Sequence, residues 1–179
     1  DLDFYNGTID EYLTALKVVY DSRNAVAPGI KITTGGVTIL HPREKKNFSR
    51  DVYARGKGLY DIACFHAHGS LMNYSERQEM VEKWLGEAGV DLPVCNTETG
   101  DRAGYAADTI RRQAETLVRK IVYAKSRNTE FYTWFTLQDY WDMDPEADDS
   151  FGLVTSDNRP KPSFVAYNEL IRQLGNTNR

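Results

Sequence analysis

Four side chains in this sequence have the types and spacing of a polar reaction centre: His66, His68, Asn96 and Glu98. Glu98 closes P93-V-C-N-T-E98, a run of strand character with Gly100 two places on. A strand bounded by Pro and Gly stops in a turn, so an acid at its end is either solvated or aimed at what lies beyond. With period-2 alternation Val94, Asn96 and Glu98 share one face, which places Asn96 one layer below the acid to fix its carboxylate. An ionised carboxylate so held suits attack on an anomeric carbon, or stabilisation of an oxocarbenium-like state. That chemistry also needs a second carboxyl about 5 to 5.5 Å away as general acid. The structural alternative is a Glu that caps the next turn or pairs with Arg102. His66 and His68, two apart on an extended segment, can both face the same mouth, to hydrogen-bond a polar substrate or to orient Glu98. Two neutral imidazoles can also bind Zn²⁺. No third ligand is evident, with His41 in a loop of undefined path, and no metal is assigned.

Something must position these groups, and the chain alternates. Thr8 to Val26 reads as a helix, opened by a Thr8/Glu11 capping box and striped by Ile9, Leu13, Leu16, Val19 and Tyr20. Ile30 to Thr34 is a short strand closed by Gly35-Gly36. A short helix over Ser49 to Lys57 comes next, then a strand from Asp61 to His66. The next helix, Ser75 to Ala88, is opened by a second capping box at Ser75 and Gln78. The third strand runs from Pro93 to Glu98. A long amphipathic helix over Ala106 to Ser126 buries Ile110, Leu117, Ile121 and Ala124. Phe131 to Leu137 is the fourth strand, and Ser163 to Leu174 the last helix. Strands alternating with helices imply right-handed crossovers and a parallel α/β sheet, either doubly wound or part of a (β/α)8 barrel. In both, chemistry sits at the carboxyl ends of the strands. Those ends hold Thr34-Gly35-Gly36, His66-Ala67-His68, Glu98-Thr99 and the segment from Trp134 to Asp139, so a His pair, a Glu and a Trp converge on one mouth.

Composition narrows the class. The 179 residues are 41% hydrophobic and 27% charged, which fits one soluble globular domain over 1–179. The formal charge of −4 is spread along the chain, which argues against nucleic acid or an anionic membrane as partner. Cys64 and Cys95 are too few for a disulfide scaffold and leave the compartment open. Cys95 should point away from the mouth, which disfavours a catalytic cysteine. Asp142, Asp144, Glu146 and Asp148 are spaced like the start of a calcium loop. However, Ala147 and Leu153 stand where the Gly and the last acid belong, so a solvated acidic loop is expected. Tyr140 and Trp141 beside those acids suit a sugar's apolar face and hydroxyls, or they anchor the loop. Asn6, Asn47 and Asn73 each begin a glycosylation-type triplet, but each precedes a helix where a Ser or Thr cap is expected.

Taken together these segments resemble the clan A retaining glycoside hydrolases, the TIM-barrel family that includes β-xylosidases, cellulases and mannanases. P93-V-C-N-T-E98 is similar to that family's seventh strand, whose end carries the nucleophile, and this implies that role for Glu98. H66-A-H68 falls where the sixth strand places a substrate-contacting His. F131-Y-T-W-F-T-L-Q-D139, F151-G-L-V-T-S-D-N-R-P-K-P162 and A166-Y resemble the eighth strand and closing helix, with Trp134 matching the sugar platform. D1-L-D-F-Y-N-G-T and its helix are similar to the segment just downstream of the family's Asn-Glu acid/base motif. The resemblance spans essentially the whole chain. It implies a carbohydrate substrate, no cofactor, sugar contacts from His66, His68, Asn96, Trp134 and Trp141, and a secreted location by family association alone.

The family barrel has eight strands in roughly 250 residues, against four expected here. The resemblance is therefore to a carboxy-terminal half barrel, strands five to eight, with the nucleophile but without the acid/base. Two open sheet edges and a bare face would then drive self-association or pairing with a complementary amino-terminal half. Two other functions fit the same residues: a carbohydrate-binding or assembly module without turnover, and a metal-dependent hydrolase using His66 and His68.

Overall fold

Thr8 opens the first helix, α1 (Ile9–Val26), with a reciprocal cap. Its hydroxyl accepts from the Glu11 N–H at 3.2 Å, and the Glu11 carboxylate accepts from the Thr8 N–H at 2.7 Å. The computed structural model describes residues 5–39, 47–104, 106–140 and 150–175. After α1 the elements alternate: β1 (Val37–Thr38), α2 (Phe48–Arg55), β2 (Ala63–His66), α3 (Leu71–Glu87), β3 (Val94–Thr99), α4 (Ala107–Ser126), β4 (Tyr132–Trp134) and α5 (Pro162–Leu174). The strands form one sheet in the order β1-β2-β3-β4, all neighbours parallel. Four successive parallel (β/α) units are consistent with half of a (β/α) barrel, the expected fold class. Among the described residues, no helix is long and apolar enough to cross a membrane.

The main core lies between the sheet and its helices. Ala63, Phe65 and Val94 pack there with Leu16 of α1, Val52 and Tyr53 of α2, Val81 and Leu85 of α3, and Ala124 of α4. Leu117, Trp134 and Leu153 make a second cluster, backed by Tyr167 and Leu170 of α5. Ile62, Cys64 and Cys95 form a separate small cluster, because Cys64 and Cys95 point opposite to Phe65 and Val94; Cys95 therefore lies on the side of the sheet that carries His66, not away from the mouth as expected.

Several boundaries differ from expectation: β4 stops at Trp134, three residues short of Leu137, and two other differences have a clear local cause. The first strand does not end at Gly35-Gly36. Thr33 bridges Ile62, the chain bends through Gly35 at φ +76°, and β1 comes after the glycines to pair Val37 with Phe65. The glycines are a bend within one path, because Gly35 tolerates a positive φ and Gly36 leaves room for a side chain from β2. Helix α3 begins one turn early, capped by Ser70, whose hydroxyl accepts from the Asn73 N–H. Ser75 instead donates to the Met72 carbonyl, and Gln78 is buried, bonded to Glu82 and Thr129. Of the residues expected as caps in the glycosylation-type triplets, Thr8 acts as one, whereas Ser49 and Ser75 lie inside helices.

Candidate active site

The carboxyl ends of β2 and β3 bring His66, His68 and Glu98 together, and a register slip makes this possible. Cys64 pairs with Cys95 and Phe65 with Asn96, but His66 pairs with Glu98. On the other side Asn96 pairs with Tyr132 and Thr99 with Trp134, so β3 has one extra residue against both neighbours. Such a bulge rotates the residues beyond it. Strict alternation would leave Glu98 with Val94, in the core against the helices. Instead Glu98 meets His66 and His68 on the opposite side. The expected layering of Asn96 beneath the acid fails for this reason. Asn96 is fully buried, its amide donates to the Phe65 carbonyl at 3.1 Å, and its Oδ1 has no hydrogen-bond partner among the described residues.

His68, not His66, makes the direct bond to the acid. Its Nε2 lies 2.7 Å from Glu98 Oε1, whereas His66 Nδ1 is 3.7 Å from Oε2, beyond hydrogen-bond distance. The bond from His68 holds the Glu98 carboxyl below its usual range; partial burial opposes this, and the neighbouring imidazoles add to the lowering. Glu98 is therefore an ionised acceptor at neutral pH, and His68 Nε2 must carry the proton between them. Among the described residues His68 Nδ1 is buried without a partner, which suits the unprotonated nitrogen of that tautomer. Burial lowers the His66 pKa, with Glu98 pulling the other way, so His66 faces the acid as a neutral ring.

Two glycines admit these side chains. A Cβ on Gly36 would overlap the His66 imidazole, and one on Gly100 would overlap the Phe135 carbonyl and crowd the Phe151 ring.

The aromatic wall of the mouth differs from the one expected. Trp134 is only 7% exposed, sits in the cluster under α4 and α5, and donates its indole N–H to the Phe151 carbonyl at 3.0 Å. It does not present a face to the mouth. Phe135, one residue on, turns the other way. Its ring centroid is 5.5 Å from that of His68, and Phe151 lies 5.4 Å from His68 on an edge-on approach. Tyr140 extends this surface from Phe135, and the Arg102 guanidinium covers the Phe151 ring at 5.4 Å. Alternation from Trp134 would have named Phe135 in advance. Trp141, His41 and the acidic residues 142–149 lie outside the described residues. Among the described residues no group of three or more His, Cys, Asp or Glu is arranged to hold a metal ion.

No protein-family model matches the chain. No curated protein matches it either. Solved structures do. A glycoside hydrolase family 17 β-1,3-glucanosyltransferase from Rhizomucor miehei superimposes with a TM-score of 0.59 at 18% identity, over 90% of this chain and 59% of its own. A family 39 glycoside hydrolase from Bacteroides cellulosilyticus WH2 gives 0.59 at 22%, over 86% of this chain and 35% of its own. Xylanase 10B from Thermotoga petrophila RKU-1 gives 0.63 at 15%, over 90% and 52%. The fold is similar to part of a glycoside hydrolase. The chain spans between 35% and 59% of the length of these three proteins.

Cys64 and Cys95 were not expected to pair. They are directly opposed on β2 and β3, with Cα atoms 4.9 Å apart, and form a disulfide. The bond lies two residues before His66 and three before Glu98. The signal was present in the sequence: each Cys precedes a candidate site residue on adjacent strands by nearly the same interval.

Proposed function

We propose that this chain is the nucleophile-bearing part of a retaining glycosidase acting on a polysaccharide or oligosaccharide, with Glu98 as nucleophile. The observation that carries this reading is the pairing of Glu98 with His68 at the strand ends, which keeps the carboxylate ionised beside an aromatic wall. An ionised Oε of Glu98 attacks the anomeric carbon while the glycosidic C–O bond breaks. The leaving oxygen takes a proton from a general acid, and water then cleaves the glycosyl ester. His68 holds the attacking carboxylate in place and in its charged form. Phe135, with Tyr140, offers the apolar face expected of Trp134, and His66 reaches the same sugar subsite.

Among the described residues the titratable side chains in contact with Glu98 are the two imidazoles, with no second carboxylate beside it, and we place the general acid elsewhere. We assign it to a complementary amino-terminal half barrel. Such a half would pair with the edge strands β1 and β4, and it would cover Ile30, Phe131 and Leu137, which are large apolar residues left exposed beside those edges. A carbohydrate-binding module without turnover is the second reading, favoured by the lack of a carboxylate partner among the described residues.

The test is covalent labelling with 2-deoxy-2-fluoro glycosides bearing dinitrophenyl leaving groups, which depart without an acid. A glycosyl ester mapped to Glu98, absent in Glu98→Gln, is expected. A folded chain that binds sugar but takes no label, with or without the complementary half, would leave the binding module.

A further inference from the structure

Helix α4 is amphipathic, yet two of the residues on its buried face are polar. Gln113 and Lys120 are both 0% exposed, on the same face as Leu117 and Ala124. A lysine ammonium is rarely fully buried unless its donors are satisfied. Lys120 Nζ has oxygen acceptors at the ends of both central strands: Thr99 Oγ1 at 3.0 Å, the Gly100 carbonyl at 3.1 Å and the Ala67 carbonyl at 3.5 Å. Thr99 Oγ1 in turn donates to the Ala67 carbonyl. The rings of Tyr74 and Trp134 lie 5.8 and 5.9 Å from the nitrogen. Burial drags the Lys120 pKa down to about 7, Asp101 opposing and Arg77 assisting.

These acceptors are the immediate neighbours of the site. Ala67 precedes His68, while Thr99 and Gly100 come directly after Glu98. They also lie just past the bulge, where β3 has slipped against both β2 and β4 and backbone bonding resumes in the shifted register, with the Ala67 N–H donating to the Glu98 carbonyl at 3.0 Å and the Gly69 N–H to the Gly100 carbonyl at 2.8 Å. Gln113 extends the same attachment, donating to the Asp101 carbonyl at 3.0 Å and to the Ser150 carbonyl at 3.2 Å.

We infer that Lys120 is a positioning residue for the Glu98–His68 pair: from behind the sheet, its ammonium ties the end of β2 to the end of β3 and sets the spacing of the two side chains on the opposite face. A rigid helix thereby adds a side-chain clamp to the backbone bonds that rejoin the two strands past the bulge. This inference rests on the reading of Glu98 as nucleophile for its catalytic meaning, but its structural content is measurable without turnover.

The test monitors the Glu98 carboxyl carbon and the His68 ring nitrogens by NMR titration of the whole chain, in wild type and in Lys120→Met, Thr99→Val and Thr99→Ser. A contact that only filled space would leave the Glu98 titration where it is. Positioning by Lys120 predicts that the lowered Glu98 value persists in wild type and Thr99→Ser. It should return towards the ordinary carboxylate range in Lys120→Met and Thr99→Val, with the sheet amide spectrum retained. Ester formation should then slow by roughly 10²-fold in Lys120→Met. An unchanged Glu98 titration in folded Lys120→Met overturns the inference. If that variant does not fold, an unchanged titration in Thr99→Val overturns it equally. A wild type that takes no label counts against the nucleophile reading, while the titrations still decide the role of Lys120.

Discussion

Glu98 stands opposite His66 in the sheet but is bonded to His68, two residues further along. The offset arises from the bulge in β3, which swings the carboxylate past its ladder partner towards the residue beyond it. The backbone irregularity thus selects which imidazole controls the charge of the acid.

His68→Phe keeps an aromatic ring between Phe135 and Phe151 and removes the bond to Glu98. The Glu98 carboxyl should move up towards its usual range, because the largest cause of its lowering is gone. The acid limb of covalent labelling should shift to higher pH with it. A carboxyl whose folded pKa lies below its unfolded value of about 4.3 contributes stability above that value, and the contribution is lost as pH falls through the folded pKa. His68→Phe should therefore flatten the acid end of the stability profile. Chemical denaturation between pH 3 and 6 on the two proteins checks the sign.

Gly36→Ala forces a methyl group into the His66 imidazole. Overpacking of this kind costs about 1–3 kcal/mol. The clash is specific to one partner, so Gly36→Ala with His66→Ala should be more stable than the sum of the single changes predicts. Urea melts of the four proteins measure that coupling. Additive losses would mean that the backbone at Gly36, not the ring, sets the requirement.

The order and type of the elements could be read from the chain because hydrophobic period and helix caps are local signals. Thr8 with Glu11 is the clearest case. That Glu98 and the two histidines converge was legible as well, since a parallel α/β sheet brings its strand ends together. What sequence alone did not show depends on register. A single bulge undid the assignment of Asn96 beneath Glu98. Trp134 packs under α4 and α5, and Phe135, just past the end of β4, stands beside His68 where the platform was expected. Lys120 was invisible for a different reason: a lysine on an amphipathic helix is ordinarily solvated, and nothing nearby in sequence reveals that its acceptors are Ala67, Thr99 and Gly100.

The Cys64–Cys95 disulfide closes a loop with a sequence separation of 31 residues. Loop entropy alone assigns such a link roughly 3–4 kcal/mol, through restriction of the unfolded chain. Cys64→Ala with Cys95→Ala should lower the melting temperature by roughly 7–14 °C for a chain of this size. Calorimetry of that variant beside the oxidised wild type gives the value. Because both cysteines lie beneath His66 and Glu98, the labelling rate of the variant, measured well below its melting point, separates a purely global effect from loosening of the site.

Lys161 and Asp139 form the most deeply buried ion pair among the described residues, at 2.6 Å with side chains 2% and 0% exposed. Asp139 also accepts the Gly152 N–H at 2.7 Å, so the pair fixes the return of the chain behind Phe151. Asp139→Asn preserves that acceptor and removes the charge, taking the Asp139 carboxylate from the buried ammonium. Breaking one side of such a pair costs roughly 3–5 kcal/mol, whereas replacing both sides by apolar groups of similar volume is far milder. Burial already lowers the Lys161 pKa, and Asp139 is what opposes it. Without Asp139 the folded state holds this proton less tightly than the unfolded chain does, so the stability of Asp139→Asn should rise with pH as Lys161 is deprotonated in the fold. Denaturation of Asp139→Asn at pH 7 and pH 9 should show part of the loss recovered at the higher value. A loss independent of pH would place the damage in packing around Gly152 instead of in the stranded charge.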